Sequence, residues 1–434
     1  MDGPLLGVAG FLAAILLIFF RIPVAVAMGL VGAAGFGITN GFFAVGFVMS
    51  SAPFEAVFPY SLSVVPLFVA MGVFAAHAGL SSALFNGVNA FVGGWRGGLA
   101  MASIGACAGF GAICGSSLAT AATMCRVAFP EMCGRGYDRG LAAAAIAAGG
   151  TLGVLIPPSI LLVIYGLLTQ QSIGALFAAA ILPGLLATAL YMAAVRVALW
   201  RRPDLAPPGE RRDWPTRLAT LREIWPVALL FLVVIGGIYA GLFSPTEAAA
   251  VGAAGALLLA WARRQLSRRV LADCVVETAR ITGMIFLILV GAAIFNYFIE
   301  TSGLPQALVG WIEASGVTPL VAMLLLLLFY ILLGCFMDSL SMILLTVPLV
   351  FPVVTALGYD PVWFGVVVVT VAELGLITPP VGMNLFVIQG TVPDLPLSTI
   401  LRGLPPFLAA DVVRLLLLLA FPGIALTLPR LLGF

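Results

Sequence analysis

The chain has 434 residues, 62% of them hydrophobic and only 9% charged, with a mean hydropathy of +1.18. A soluble domain is about 45–50% apolar and about 25% charged, so most of this chain must lie in lipid or against other buried helices. The net charge of +2 includes 20 basic residues that are all Arg; without Lys there is no Walker A phosphate loop and no lysine Schiff base, which excludes an ATP-hydrolysing pump within the chain.

At roughly 20 residues per span, this length allows about a dozen crossings. The apolar runs are long and rich in Leu, Ala and Gly, without the alternation of an outer-membrane strand, and predict helices. Residues 4–20 lack the positive flank of a cleaved signal peptide and read as a retained first span. His77, the only His, reads as a packed helix residue, as do Cys107, Cys114, Cys125, Cys133, Cys274 and Cys335, which show no C-x-x-C pairing. A histidine metal site or a Ser-His-Asp hydrolase has almost nothing to work with.

Gly97 to Pro130 is apolar but broken by Gly109, Gly111, Cys114-Gly115-Ser116-Ser117 and Thr120. Arg96 and Arg126 flank it and put both ends on one side, so these roughly 30 residues predict a re-entrant hairpin with its tip at 113–120. Residues 140–166 predict a broken helix, because Pro157 and Pro158 lack N–H groups and disfavour helical ψ in the residues before them. A first repeat, 1–200, ends here, and a linker, 201–225, follows. Seven Arg fall within 196–222, which the positive-inside rule makes cytoplasmic. Span 226–242 goes out, turns at Ser244-Pro245, and 246–261 returns to a second cytoplasmic cluster at Arg263, Arg264, Arg268 and Arg269. Arg211–Trp225 and Ala262–Arg280 mix Arg with apolar residues and suit either interfacial helices or cytoplasmic loops. In the second repeat, 226–434, Pro319 to Pro352 predicts another hairpin with its tip at 334–342, and 361–388 another broken helix.

An offset of 222 residues lays one half on the other. Phe129-Pro130 meets Phe351-Pro352, Gly136-Tyr137-Asp138 meets Gly358-Tyr359-Asp360, and Pro157-Pro158 meets Pro379-Pro380. Over 129–159, nine of 31 positions equal their partners. Equivalent loops carry opposite charge bias: the Arg cluster at 263–269 corresponds to the uncharged 41–47, and Arg126, Arg135 and Arg139 correspond to the Arg-free 348–361. The halves are therefore expected to be inverted across the membrane, with both termini outside. Repeats interrupted at matching places are the pattern of a secondary transporter, and the interruptions point to its site.

Hairpin hydroxyls facing the carbonyls of Leu152 to Ile156 and of Leu374 to Thr378, which are expected to lack helical donors, would form oxygen cages suited to Na⁺. The expected sodium ligands are Gly115, Ser116, Ser117, Thr120, Gly150 and Gly153 in the first half. Those in the second are Gly334, Asp338, Ser339, Gly375, Thr378 and Gly382. Helix N-termini at the breaks suit an anion, and Ser116, Thr151, Pro157, Pro158, Pro379, Pro380 and Asn384 are the expected solute contacts. Asp338 lies inside an apolar span, where a charge costs at least about 2.5–3.5 kcal/mol; it is a functional candidate or a carboxyl that stabilises the tip. Glu373, Glu247 and Asp411 are weaker cases, near helix ends or buried between helices.

At these positions the sequence resembles a known family. Gly115-Ser116-Ser117-x-Ala119-Thr120, Gly150-Thr151-Leu152-Gly153-x-Leu155-Ile156-Pro157-Pro158-Ser159, Ser244-Pro245-Thr246-Glu247-Ala248-Ala249-Ala250, Phe336-Met337-Asp338 and Leu376-Ile377-Thr378-Pro379-Pro380-Val381-Gly382-Met383-Asn384 look like the large, DctM-type membrane subunit of TRAP transporters, the tripartite ATP-independent periplasmic family. The resemblance implies an all-α polytopic protein of two inverted repeats working as an elevator. Its task would be sodium-driven import of a carboxylate-bearing solute across the bacterial inner membrane. It implies two partners, a small four-helix membrane subunit and a periplasmic solute-binding protein, neither expected to be fused here. No cofactor beyond Na⁺ as coupling ion and no nucleic-acid partner is implied. The runner-up is a stand-alone ion-coupled dicarboxylate or citrate symporter, against which the Thr-Glu-Ala-Ala-Ala segment argues. An intramembrane aspartyl protease would need two facing Asp, and inverted hairpins suit alternating access better than a channel.

Overall fold

The structure is a computed structural model that describes residues 3–209 and 213–434; the linker residues 210–212 lie outside the described residues. The first half runs α1 (Gly3–Phe19), α2 (Val24–Asn40), α3 (Phe42–Val57), α4 (Val64–His77) and α5 (Leu80–Val92). The hairpin follows as α6 (Gly98–Cys114) and α7 (Ser117–Gly134), then the broken helix as α8 (Arg139–Leu155) and α9 (Ile160–Thr169), bent by 41°, then α10 (Ile173–Arg201). The second half begins with α11 (Trp214–Tyr239), α12 (Pro245–Ala262), α13 (Arg268–Ser302) and α14 (Leu304–Ser315). Its hairpin is α15 (Pro319–Gly334) and α16 (Ser339–Ala356), and its broken helix α17 (Pro361–Gly375) and α18 (Met383–Thr391). The chain closes with α19 (Leu397–Gly403), α20 (Pro405–Ala420) and α21 (Gly423–Leu431). No strand occurs among the described residues, so the expected all-α polytopic class holds.

The 222-residue offset is a repeat of hydrogen bonds as well as letters. Gly136 and Gly358 take left-handed φ values of 80° and 81°, which only glycine adopts cheaply. Asp138 then caps α8 through the Leu141 N–H at 2.8 Å, and Asp360 caps α17 through the N–H groups of Val362 and Trp363 at 2.8 and 3.0 Å. Helices α7 and α16 start at Ser117 and Ser339, and α9 and α18 end at Thr169 and Thr391, each pair 222 apart. The packing is reciprocal too: α9 lies against α16 and α18 against α7, α2 against α13 and α4 against α12, while α8 meets α17 and α10 meets α20. Such exchange is what a two-fold-like relation between halves produces.

Composition sorts these helices into two roles. Every residue from Gly140 to Leu155 on α8 and from Trp363 to Gly375 on α17 is buried, so the broken helices form the centre. Around them, Leu12, Leu232, Leu258 and Leu287 on α1, α11, α12 and α13 are each more than half exposed, a flank suited to lipid. Six helices are long and apolar enough to cross a membrane among the described residues, or eight if each of two bent pairs is one span. That is fewer than length alone allows, because much apolar sequence is spent on helices of 10–17 residues.

Two expectations are corrected. Of Arg211–Trp225, residues 211 and 212 lie outside the described residues, and Trp214 onward forms the first turns of α11. Ala262–Arg280 divides into the end of α12, a non-helical connection at 263–267 and the first turns of α13, so neither is a separate interfacial helix. Tertiary bonds hold the polar extension of α11: Arg217 donates to the Ala90 carbonyl at 3.1 Å, and Arg263 to that of Glu223 at 2.9 Å. Helix α13, with 35 residues, is about 52 Å long at 1.5 Å per residue and outreaches a hydrocarbon core of about 30 Å.

Candidate functional site

The two hairpin tips converge. Helix α6 stops at Gly115, whose φ of 64° turns the chain, and Ser116 caps α7 by accepting the Ala119 N–H at 3.4 Å. In the second half Asp338 caps α16: its carboxylate accepts the Ser341 N–H at 3.0 Å and the Ser341 hydroxyl at 2.5 Å. Both helices thus begin at one cavity of about 130 Å³, lined by Gly115, Ser116, Ser117, Asp338, Ser339 and Glu373 among its polar and tip residues. Leu118, Val154, Ile160, Leu161, Leu340 and Leu376 complete the central wall, and Ile281, Met284 and Ile285 of α13 close it from outside. A larger cavity of about 250 Å³, with Glu55 and Gln170 in its wall, lies farther along α13 at Leu289 to Asn296 and touches neither tip.

Close helix crossings hold each tip on its broken helix. A Cβ added to Gly111 would overlap Gly153, and one added to Gly375 would sit 2.5 Å from the Gly334 Cα. Gly153 also has Thr120 and Ser116 against it: a Cβ there would lie 2.6 Å from Thr120 Oγ1 and 3.1 Å from the Ser116 carbonyl. A Cβ on Gly150 would lie 3.2 Å from the Ser117 carbonyl. Gly115, Ser116, Ser117, Thr120, Gly150 and Gly153 therefore come together, and the Thr120 hydroxyl is fully buried with no partner.

The carbonyls at the breaks are less free than expected. Leu152 O accepts from Ile156 N at 3.0 Å, Leu374 O from Ile377 N and Thr378 Oγ1, Gly375 O from Thr378 N, and Leu376 O from Asn384 N. The helix ends tighten into shorter turns and a threonine hydroxyl caps one of them, which a rule based on missing proline N–H groups overlooks. Gly153 to Ile156, Ile377 and Thr378 keep carbonyls without a backbone donor among the described residues.

The expected solute set divides. Ser116 lines the cavity, whereas Thr151, Pro157, Pro158, Pro379, Pro380 and Asn384 are not in its wall. Thr151 is buried and bonds Ala148 O at 2.7 Å and the Tyr191 hydroxyl at 3.1 Å. Asn384 is buried and donates to Ala147 O at 3.1 Å, tying α18 to α8. Pro157-Pro158, a cis pair, is buried, while Pro379-Pro380, also cis, is exposed. Thr378 and Gly382 lie beyond the cavity, at the turn into α18.

Glu373, read from sequence as a weak case, stands in the cavity wall and is 1% exposed. Its Oε1 accepts the Ser339 hydroxyl at 3.0 Å. Asp411 is also buried, bound by the Tyr191 hydroxyl at 2.7 and 2.8 Å and by Arg414 at 2.7 Å. Glu247 completes a capping box with Ser244, with Pro245 at the first helical position, so the Ser-Pro-Thr-Glu motif starts α12. At the surface Arg139 donates to Asp394 at 2.6 Å, and that hydrogen bond holds the Asp394 carboxyl below its ordinary pKa. All six cysteines are free thiols, and His77 Nδ1 lies 3.0 Å from the Val73 carbonyl at the end of α4.

A family model described as the tripartite ATP-independent periplasmic transporter, DctM component, matches residues 11–424. The chain belongs to the DctM family. It is 36% identical over 382 residues to a C4-dicarboxylate TRAP transporter large permease protein of Pseudomonas aeruginosa, with 88% of each chain covered. An isethionate TRAP transporter permease protein, DctMQ of Oleidesulfovibrio alaskensis, is 34% identical over 426 residues, 97% of this chain and 66% of that one. Among solved structures, the Alcanivorax borkumensis YdaH transporter matches with a TM-score of 0.64 at 16% identity, over 88% of this chain and 89% of that one; at that identity the likeness concerns fold alone. This DctM chain is thus a large permease subunit of a TRAP transporter, a multi-pass membrane protein and not an enzyme.

Proposed function

We propose that this subunit drives sodium-coupled import of a carboxylate-bearing organic solute across a bacterial inner membrane, and that a periplasmic binding protein delivers the solute. The observation that carries the reading is the charge of the tip cavity. It holds two carboxylates, Asp338 and Glu373, and no basic side chain. An anion can enter such a site only if cations neutralise it first, which is the physical content of co-transport. The N-termini of α7 and α9 then offer partial positive charge to a carboxylate, while that of α16 already faces Asp338. Bare carbonyls at Gly153 to Ile156 and the unpaired Thr120 hydroxyl support a cation at the first tip.

Partners follow from the tripartite family and from relatives. The DctMQ relative is longer than the region it shares with this chain, which supports a second, small four-helix membrane component working with this subunit. Of these relatives one is named for C4-dicarboxylate, which supports a carboxylate-bearing solute, and one for isethionate, a sulfonate of the same anionic kind. Inverted halves and a central core that slides as an elevator against α13 and its neighbours fit the buried broken helices and the cavity between core and frame.

Reconstitution tests the reading. Liposomes holding this subunit, its small partner and the binding protein should take up solute under an inward Na⁺ gradient without ATP, and this chain alone should not. Robust uptake by the isolated chain would favour the stand-alone symporter.

A further inference from the structure

Helices α10 and α20 leave a groove on the outer side of the core. Its cavity of about 370 Å³ is walled by Leu190, Val197 and Arg201 of α10 and by Pro405, Ala409 and Val413 of α20. No acidic side chain lines it, and Arg201 is the one charged residue in its wall. The buried polar groups of the same two helices are turned elsewhere: Tyr191 donates to Asp411, Asp411 pairs with Arg414, and none of the three lines the groove.

Length and charge together select an occupant. From Leu190 to Arg201 the groove runs about 16 Å along α10 at 1.5 Å per residue, half of a hydrocarbon core of about 30 Å. A partner's crossing helix needs the full thickness, whereas an acyl chain of one leaflet needs half. Arg201 closes α10 where the basic linker begins, so the positive-inside rule puts the mouth of the groove at the cytoplasmic face. Arg402, in the last turn of α19, brings a second positive charge to that end of α20, three residues before Pro405. Neither arginine has an ion-pair or hydrogen-bond partner among the described residues, whereas nearby Arg139 is taken by Asp394. Trp200, beside Arg201 and 83% exposed, suits the headgroup level of a bilayer.

We propose that this groove holds an anionic phospholipid of the cytoplasmic leaflet, with an acyl chain along α10 and α20 and its phosphate-bearing headgroup between Arg201 and Arg402. Arginines just cytoplasmic of a span attract anionic headgroups, and the apolar wall retains the chain. The inference goes beyond the transport reading and holds for any solute or coupling ion. A chain in the groove packs against the two helices that carry Tyr191, Asp411 and Arg414, and so braces that buried cluster from the lipid side.

The test uses the complete transporter in phosphatidylcholine nanodiscs containing a trace of a phospholipid with a photoreactive acyl chain. The probe carries either a phosphatidylglycerol or a phosphatidylcholine head, and adducts are mapped by mass spectrometry after illumination. Two arginines should make adducts within 190–198 and 405–413 at least about tenfold more abundant with the glycerol head than with the choline head. In the double variant Arg201→Gln, Arg402→Gln that ratio should fall below about threefold, while adducts at lipid-facing Leu232 on α11 stay as in wild type and report a folded protein. Equal labelling of the groove by the two heads in wild type overturns the proposal whether or not the variant folds. A ratio that the folded double variant leaves unchanged overturns it as well. Labelling of the groove in the isolated subunit that vanishes in the complete transporter would assign this face to the small membrane subunit, and the lipid site would fall.

Discussion

Thr120 is where a structural role and an ion-binding role make opposite predictions. Its hydroxyl is fully buried and unpaired, with the Gly153 backbone and the Ser116 carbonyl close by. An unmet buried hydroxyl costs about 1–3 kcal/mol, so Thr120→Val, which removes it at equal shape, should hold or raise the melting temperature of the purified complex in sodium-free buffer. If the hydroxyl is a ligand, the same variant should need several-fold more Na⁺ for half-maximal uptake. A raised melting temperature with unchanged sodium dependence would reduce Thr120 to a packing residue. Ser117→Ala and Ser339→Ala should likewise weaken sodium dependence while the protein still reaches the membrane, and unchanged apparent affinity in both would remove the tips from the ion sites. The tip residues were legible because a polar cluster beside Gly or Pro inside an apolar span has few other uses. Ile281, Met284 and Ile285 were not, since an apolar side chain on an apolar helix reads the same whether it faces lipid or a cavity. Asp411 was named from sequence, but its partners Tyr191 and Arg414 escaped: Tyr191 and Asp411 are 220 residues apart in sequence, and only the fold joins them.

The breaks, caps and crossings operate at the scale of elements, and here the sequence was most informative. Gly-Tyr-Asp marks the start of each broken helix because a left-handed turn must precede a carboxylate cap, and both demands restrict residue type. Asp138→Ala should cost about 1 kcal/mol through loss of the cap, read as a lower melting temperature. The crossings are more demanding. Gly153→Ala drives a methyl group toward Thr120 and Ser116, and overpacking of this kind costs about 1–3 kcal/mol. Gly375→Ala meets the Gly334 backbone in the same way. Each should lower the melting temperature more than Gly310→Ala on α14, where an added Cβ meets nothing within 4 Å. A Gly153→Ala variant as stable as wild type would show that the hairpin can lift off its broken helix at no cost. The true extents of α11 and α13 were not legible, because the bonds of Arg217 and Arg263 that anchor the polar turns are made to distant carbonyls.

At the scale of the whole molecule, charge bias and not helix packing sets sidedness. A pseudo-two-fold exchange of helices fits halves inverted across a membrane, and arginine distribution sets which face is which. Probe positions must be exposed and tolerant of a side chain. Gly209 is a poor site because an added Cβ would strike the Gly93 and Trp95 carbonyls, and Gly358 is strained by its φ of 81°. Asp204, in the linker region, and Ala356, at the end of α16, are both exposed and suit Cys replacement. Five of the six native cysteines are buried and the sixth is half-buried, so their replacement by Ala or Ser should leave a folded background. In whole cells an impermeant thiol reagent should label Asp204→Cys only after the membrane is opened, but Ala356→Cys at once. The arithmetic behind this is simple: a basic linker that faced the periplasm would place the cluster at Arg263 to Arg269 outside as well, and both would oppose the positive-inside bias together. Immediate labelling at Asp204→Cys with none at Ala356→Cys would invert the molecule in the membrane. Immediate labelling at both would put the two equivalent faces on the same side, and the inverted repeat, with the elevator reading built on it, would fall.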